Sequence, residues 1–178
     1  MTLTLPASTL NNSLLEMTTA VTFGRMNLPH SGHVELVQRM LAHRDIAHVY
    51  LSTGRANNCW DTRALLFRHL LRVDGVDLKR VKLLQAANPW EAVKLSSACG
   101  DSHPLLVFGE DQFDLASTLA DHFNTRFVLN HRTQSSTAVR DLMNHNEEEV
   151  VLRVYRNNQY SVRLAYLLRK EEIRSEKP

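Results

Sequence analysis

The stretch from Thr18 to Leu41 constrains the fold more than any other part of the sequence. It opens with a short apolar run of strand-like composition, Ala20 to Phe23, and breaks at Gly24-Arg25. After Gly32-His33, apolar residues recur at the spacing of an amphipathic helix, at Val34, Leu36, Val37, Met40 and Leu41. A strand, a Gly/Pro loop and a helix in this order predict the start of a βαβ unit. Such a junction directs backbone N–H groups and the positive end of the helix toward a bound anion, typically phosphate.

Two histidines lie where this helix begins. His30 and His33 are three residues apart, which places them on one side of the first turn. An imidazole there can donate a hydrogen bond to a phosphate oxygen, and Gly32 lets a ligand approach the backbone closely. Transfer of a phosphoryl group requires positioning and charge stabilisation rather than a protein nucleophile. The pattern therefore predicts a site for a nucleoside triphosphate. A zinc site is disfavoured, because the two histidines lack a third ligand at suitable spacing.

The rest of the chain alternates strand-like and helical segments. Strands are predicted at residues 46–52, 81–84, 105–108 and 126–129, and helices at 90–97, 115–123 and around Leu65–Leu71, the last with Asp61 or Thr62 as its N-cap. This alternation predicts an α/β protein with a doubly wound, mostly parallel sheet and ligands at the carboxyl ends of the strands. We expect one domain over residues 1–178, with a loose polar lead-in, a core at 18–143 and an extension at 144–178. The amphipathic extension is expected to be helical and to cover the core or form a homo-oligomer contact.

Two later segments add polar groups at predicted element ends. Gly109 and Asp111 follow the apolar strand at 105–108, where a carboxylate can accept hydrogen bonds from a sugar or a polar ring, although a plain turn explains them equally simply. Ser135, Ser136 and Thr137 open a helix and Arg140 lies one turn in, which suits phosphate. An ordinary capped helix is the simpler interpretation of this second segment.

Composition excludes several classes of function. The net charge of +2, with nine histidines, is too balanced for nucleic-acid binding without a clustered basic face. The longest apolar run falls short of a membrane span, and the first dozen residues lack the basic start and apolar core of a secretory signal. Cys59 and Cys99 have no motif spacing and favour a reduced setting. We therefore expect a cytoplasmic protein with neither a nucleic-acid nor a membrane partner.

Taken together, three segments resemble a known superfamily. Gly24 to His33 (GRMNLPHSGH) is similar to the HxGH loop of the nucleotidylyltransferases, close to its GRFxPxHxGH form. Gly109-Glu110-Asp111 resembles the GxD element, and Ser135 to Arg140 resembles the ISSTxxR signature, with Gln134 where an apolar residue is usual. This superfamily includes nicotinamide-mononucleotide (NMN) and nicotinate-mononucleotide adenylyltransferases, pantetheine-phosphate adenylyltransferase and cytidylyltransferases. The resemblance covers roughly residues 18–143.

The resemblance implies a Rossmann-like nucleotidylyltransferase fold and a transferase reaction. A nucleoside monophosphate would pass from a nucleoside triphosphate, ATP by preference, to a small phosphorylated acceptor, and pyrophosphate would leave. NMN is the preferred acceptor, with NAD as the product, and Mg²⁺ would enter with the nucleotide rather than on protein ligands. The implied catalytic residues are His30, His33 and Arg140. Nucleotide and phosphate contacts are implied for Phe23, Gly24, Arg25, Asn27, Gly32, Gly109, Asp111, Ser135, Ser136 and Thr137.

The acceptor site is less sharply marked. The resemblance implies acceptor contacts in the loop after the second strand, at Arg55 and Asn57, and at Trp90, an aromatic that can stack on a ring. Exposed loop polarity and an ordinary core tryptophan are the simpler interpretations. His131 and Arg132, just before the third signature, could reach the nucleotide, although a loop pair is the simpler interpretation. Another acceptor, CTP in place of ATP, and a non-catalytic nucleotide-binding or host-interaction protein on the same fold stay open as alternatives.

Overall fold

Strands and helices alternate along the chain in the computed structural model, which describes residues 17–53, 59–132 and 134–175. The strands are β1 (Thr19–Gly24), β2 (Ile46–Ser52), β3 (Val81–Ala86), β4 (Leu105–Gly109) and β5 (Phe127–Asn130). The helices are α1 (Ser31–His43), α2 (Trp60–Val73), α3 (Pro89–Ser97), α4 (Phe113–His122), α5 (Ser136–Asn144), α6 (Glu148–Val154) and α7 (Gln159–Ser175).

The strands form one parallel sheet in the order β3-β2-β1-β4-β5. The order reverses between β1 and β4, since β2 and β3 extend the sheet on one side and β5 on the other. The register places Gly24 beside Leu51 and Gly109 beside Asn130, so the carboxyl ends of β1, β4 and β5 lie at one edge of the sheet. This doubly wound arrangement confirms the predicted fold class. In such sheets, ligands bind at the carboxyl edge where the strand order reverses.

Helices cover both faces of the sheet, as the apolar strand at residues 105–108 predicts. In β4, Leu105 and Val107 share a core with α1, α2 and the C-terminal helices, whereas Leu106 and Phe108 pack with α3 and α4. All four side chains are buried. Burial of a side chain of this size stabilises the fold by about 1.5–3 kcal/mol, so the two cores hold the sheet between the helical layers.

The C-terminal extension is helical and packs on the core. Helix α7 lies against α2, and its residues Leu164, Ala165 and Leu168 are buried in the same core as α1 and α2. At the end of α6, Tyr155 is also buried. The predicted cover is therefore confirmed. Among the described residues, none of the helices combines the length and the apolar character that crossing a membrane requires.

The start of α2 differs from the prediction. The helix begins at Trp60, and its N-cap is Cys59, whose side chain makes no capping hydrogen bond. Neither Asp61 nor Thr62 is the cap, because both lie inside the first turn. The Thr62 hydroxyl instead donates to Glu171 Oε1 on α7 at 3.1 Å. Thr62 therefore contacts the C-terminal helix α7 instead of forming the predicted N-cap hydrogen bond of α2.

Candidate functional site

A cleft of about 330 Å³ opens at the carboxyl edge of the sheet, where the strand order reverses. It lies above the ends of β1, β4 and β5, between the N-termini of α1 and α5. The described residues that line it are Thr22, Phe23, Gly24, Arg25, Met26, Asn27, His30, Gly32, His33, Leu36, Gly109, Gln112, Asn130, Arg132, Gln134, Ser135, Ser136, Thr137 and Arg140. The cleft thus joins the first and third predicted signatures.

Most of the predicted site residues meet in this cleft. The catalytic candidates His30, His33 and Arg140 line it together, as do nine of the ten predicted nucleotide and phosphate contacts. The tenth, Asp111, does not line the cleft and contacts Arg132, which does. Arg55 and Asn57 lie outside the described residues.

Trp90 lies away from the cleft, in the first turn of α3 and on the opposite layer from α1. Its ring makes an edge contact with His122, at a centroid distance of 4.9 Å, and lies 6.1 Å from Phe123. The side chain is partly exposed at the end of α4. The structure therefore does not bring this predicted acceptor contact together with the histidines.

The two histidines cap the start of α1. His30 is the N-cap, and its Nδ1 accepts a hydrogen bond from the Gly32 N–H at 3.1 Å. In return, Nδ1 of His33 accepts one from the His30 N–H at 3.2 Å. This is the geometry of a capping box, with imidazoles in place of the usual hydroxyl and carboxamide. The ring centroids are 4.1 Å apart, so both rings lie side by side at the N-terminus of α1.

This cap determines which ring nitrogens can donate. Because each Nδ1 uses its lone pair to accept a backbone N–H, the neutral ring carries its proton on Nε2. Burial, reinforced by the charge of Arg132, lowers the pKa of His30 to about 4. Burial, then the His30 ring and Arg132, lowers the pKa of His33 well below its ordinary value. At neutral pH both side chains are therefore uncharged N–H donors.

Two buried polar atoms at the cleft have no hydrogen-bond partner within the described part of the chain. They are Nε2 of His30 and Oδ1 of Asn27. A buried polar atom without a partner costs about 1–3 kcal/mol. A ligand with acceptor oxygens would satisfy the His30 donor, so these atoms indicate a polar ligand rather than an apolar one.

The loop between β1 and α1 is fixed by contacts from distant segments. The Ser136 hydroxyl, at the start of α5, donates to the carbonyl of Leu28 at 3.1 Å. The Tyr155 hydroxyl donates to the carbonyl of Pro29 at 2.9 Å in a buried position. Met26, in the same loop, adopts a left-handed backbone with a φ of 43°, which is unusual for a residue with a side chain. The loop is therefore held in one conformation by residues more than a hundred positions further along the chain.

Arg63, in the first turn of α2, also positions this loop. Its side chain is 1% exposed. Nη1 donates to the carbonyl of Arg25 at 2.7 Å, and Nη2 donates to the carbonyl of Ser52 at 3.2 Å. One guanidinium thus ties the loop after β1 to the end of β2. Its helical position next to buried Ala64 was the available signal, but charge usually places an arginine on the surface.

The N-terminus of α5 faces the same cleft. Ser135 is its N-cap, and its hydroxyl accepts a hydrogen bond from the Ala138 N–H at 3.1 Å. One turn further, Arg140 donates to the Thr137 hydroxyl at 3.3 Å. The simpler interpretation, a capped helix, is therefore correct, and the cap coexists with a position on the cleft. Neither α1 nor α5 has an acidic residue in its first turn.

The electrostatics of the cleft favour an anion. Arg25, Arg132 and Arg140 line it, and neither Asp nor Glu is among its described lining residues. Two helix N-termini add partial positive charge at the same place. Within residues 17–53, 59–132 and 134–175, no group of three His, Cys, Asp or Glu side chains is arranged to hold a metal ion. The arrangement suits an anion such as a polyphosphate.

Comparison with known proteins shows the fold. No family model matches the sequence, and no curated protein does. A nicotinate-nucleotide adenylyltransferase structure from Vibrio parahaemolyticus is 15% identical, with a TM-score of 0.57 over 80% of this chain and 97% of that one. A bifunctional NMN adenylyltransferase/ADP ribose pyrophosphatase from Francisella tularensis is 14% identical, with a TM-score of 0.58 over 91% of this chain. The match spans 57% of the length of the bifunctional protein. The chain therefore has the fold of the nucleotidylyltransferases, which confirms the predicted resemblance at the level of the fold.

Proposed function

We propose that this chain is a single-domain nucleotidylyltransferase that transfers a nucleoside monophosphate from a nucleoside triphosphate to a phosphorylated acceptor. One observation carries the proposal. His30, His33 and Arg140 come from the two ends of the predicted core, and they line one cleft that has no carboxylate among its described lining residues. A triphosphate carries several negative charges, which are costly to place in a partly buried site unless donors surround them. The histidine and arginine donors of this cleft can do so.

The reaction needs no protein nucleophile. An anionic oxygen of the acceptor phosphate attacks the α-phosphorus in line and forms the new P–O bond. The bond from the α-phosphorus to the oxygen that bridges to the β-phosphate breaks, and its electron pair leaves with pyrophosphate. Because the acceptor oxygen is already deprotonated, no general base is required. The contribution of the protein is to orient the two phosphates and stabilise the charge that develops.

The histidines are suited to this role because they are neutral donors. Their Nδ1 atoms are used by the helix cap, so Nε2–H of each ring is the donor available to the non-bridging oxygens of the transferring phosphate. A fixed, partly desolvated donor stabilises a developing charge more than a mobile one in water. Ser135, Ser136 and Thr137, with Arg140, would contact the β- and γ-phosphates that leave.

Mg²⁺ would neutralise charge on the triphosphate when it is bound. The donor set of the cleft fits a metal that is carried by phosphate oxygens and water, since the described lining residues offer arginine, histidine and hydroxyl groups instead of carboxylates.

The two cysteines, one buried and one exposed, are both free, which agrees with the reducing environment of the cytoplasm.

NMN or nicotinate mononucleotide is the acceptor class we propose first. Among the solved structures that share this fold, one is named as a nicotinate-nucleotide adenylyltransferase, and a bifunctional NMN adenylyltransferase was obtained with AMP and a manganese ion. ATP is accordingly the first nucleotide to test. The resulting product would be a dinucleotide of the NAD type.

The test is a turnover assay with purified protein and Mg²⁺. ATP or CTP is combined with NMN, nicotinate mononucleotide or phosphopantetheine, and both pyrophosphate release and the nucleotide product are measured. His33→Ala should lower kcat by about 100-fold, the effect of removing one preorganised donor. His43→Ala is the matched control, because His43 lies exposed in the last turn of the same helix.

Each failure of this test has its own meaning. A folded protein that turns over none of the pairs is not an enzyme for those reactions. Tight ATP binding that His33→Ala leaves unchanged, without turnover, identifies a non-catalytic nucleotide-binding protein on the same fold. Equal loss of kcat in His33→Ala and His43→Ala would contradict the assignment of His33, since only the first residue faces the cleft.

A further inference from the structure

Arg132 lies across the end of β4, in a position that the predicted signatures do not explain. It follows β5 and lines the cleft, and its guanidinium is turned toward the residues after β4. Nε lies 3.3 Å from Asp111 Oδ1, and Nη1 donates to Asp111 Oδ2 at 3.4 Å. Nη2 donates to Gln112 Oε1 at 3.0 Å. All three nitrogens therefore have a partner on the same short segment.

Gly109 makes room for this guanidinium. Its φ of −69° suits any residue, so backbone freedom is not the reason for a glycine here. A Cβ at this position would lie 2.6 Å from Asp111 Oδ1 and closer still to Nε of Arg132. Any side chain at residue 109 would displace the pair. The glycine of the predicted GxD element thus permits the close approach of an arginine from the loop after the neighbouring strand.

The ion pair between Arg132 and Asp111 contributes too little to the stability of the fold to explain why it is there. The side chains of Arg132 and Asp111 are 46% and 62% exposed, and both contacts with the carboxylate are long. Exposed ion pairs contribute about 0–1 kcal/mol. The same guanidinium stands close enough to the cap of α1 that its charge helps to lower the pKa of His30 and of His33. A cation near two neutral donors, one of which is a buried Nε2 without a described partner, indicates an anion between them.

We propose that Arg132 is a phosphate-binding residue of the cleft, and that Asp111 holds its guanidinium until a polyphosphate replaces the carboxylate. This proposal deepens the proposed function and rests on its premise that the ligand carries phosphates. Asp111 then affects ligand binding by competing for Arg132, instead of binding a ligand hydroxyl itself. The exchange costs little, because the contacts that are given up are long and solvent-exposed.

Binding of inorganic triphosphate, without metal or nucleoside, tests the proposal directly. Isothermal titration at low ionic strength should show that Arg132→Ala weakens binding by about tenfold, which is the value of one charge-assisted hydrogen bond. Arg132→Lys should recover part of the loss, because the charge stays and the planar donor pair goes. Arg126→Ala is the matched control. Arg126 is exposed and directly precedes the amino end of β5, whereas Arg132 follows the carboxyl end.

Two further variants separate ligand binding from a structural role. Asp111→Asn should tighten triphosphate binding about twofold to threefold, because it removes the competing negative charge, and added salt should abolish the gain. Gly109→Ala should weaken binding although every charge remains, since the methyl group displaces the guanidinium. In wild-type protein, the Nε–H resonance of Arg132 should shift when triphosphate is added, which a purely structural arginine would not do.

The outcomes distinguish this proposal from the enzymatic one. Wild-type affinity in both Arg132→Ala and Gly109→Ala overturns the proposal, as does an equal loss in Arg126→Ala. Weaker binding by Asp111→Asn overturns the exchange between carboxylate and phosphate. Triphosphate binding through Arg132 without turnover of any nucleotide refutes the proposed function alone. Turnover that Arg132→Ala leaves unchanged refutes the role of Arg132 alone, and a wild-type protein that binds no triphosphate refutes both.

Discussion

Replacing His30 with asparagine tests the assignment of the histidines as neutral donors, with a readout that does not depend on any ligand. His30 is 2% exposed and caps α1 through Nδ1. Asparagine is a good N-cap residue, so His30→Asn keeps an acceptor for the helix. The substitution removes the ability of residue 30 to take up a proton, which is the property under test.

The size of the effect follows from the pKa of His30. Its ordinary value is 6.5, and burial together with the charge of Arg132 lowers it to about 4 in the folded protein. Between these values the unfolded chain binds a proton that the folded chain does not, so the free energy of unfolding falls as the pH falls. Proton linkage gives a loss of about 2 kcal/mol from this residue between about pH 7.5 and about pH 5.

Other histidines act in the same direction but cancel in the comparison. Burial lowers the pKa of His48 to about 4 and that of His33 well below its ordinary value. Their losses occur in the wild type and in His30→Asn alike. The variant should therefore lose about 2 kcal/mol less than the wild type over the same pH interval. The neighbouring His30 ring contributes to the lowered pKa of His33, so the same change reduces that loss slightly too.

Urea unfolding at the two pH values measures the difference. The free energy of unfolding is determined for the wild type, for His30→Asn and for His43→Asn, which makes the same substitution at the exposed end of the same helix. His43→Asn should lose as much stability as the wild type when the pH is lowered. Equal losses in the wild type and His30→Asn would refute the neutral state of His30, and with it the Nε2–H donor on which the proposed chemistry depends.

Three further substitutions test the contacts that hold the site. Tyr155→Phe removes the buried hydrogen bond to the Pro29 carbonyl and should lower the free energy of unfolding by about 1–2 kcal/mol in urea titrations; an unchanged midpoint would contradict its role. Arg63→Met removes two charged donors from backbone carbonyls and should cost about 3 kcal/mol by the same measurement, with the exposed Arg68→Met as the control. Ser135→Ala removes the α5 cap and should cost about 1 kcal/mol, whereas Ser135→Gly should cost only a few tenths of that; equal costs would show that the hydroxyl is not the cap.

The strands were predictable because buried parallel strands leave a simple trace in the sequence. The second strand was predicted at residues 46–52 and forms there, and the apolar run at 105–108 is β4 with one glycine added. Their neighbours on both faces are helices, so nearly every residue is apolar, and a continuous apolar run marks the strand. The alternation of strands and helices predicted a parallel, doubly wound sheet, whereas the order of its strands is known only from the structure.

The errors arise where a distant part of the chain decides a local feature. Thr62 satisfies the local rule for an N-cap, but its hydroxyl contacts Glu171 on α7 and is not available to cap α2. Arg63 is buried because it donates to two backbone carbonyls, and those carbonyls come together only in the folded protein. Local sequence rules contain neither contact, and therefore they missed both.

Much of the candidate site was predictable from the sequence. The resemblance implies that the histidine pair and the SSTxxR segment contact one nucleoside triphosphate, and the fold brings the two segments to one cleft. The sequence assigned Asp111 to a ligand, whereas its ion-pair partner in the structure is Arg132, in the loop after β5. The resemblance assigned Trp90 to the acceptor, whereas helix packing places its ring at the end of α4, away from the cleft. Pairings between neighbouring strand ends depend on tertiary structure.

The hydrogen bond from Tyr155 to Pro29 has a consequence for synthesis of the protein. During translation, the loop between β1 and α1 emerges from the ribosome early, and Tyr155 emerges much later. A nascent chain that has completed the sheet still lacks the hydroxyl that fixes this loop, and Ser136 arrives only shortly before it. The loop can therefore reach its final conformation only at a late step of translation, after the strands at the cleft have already emerged.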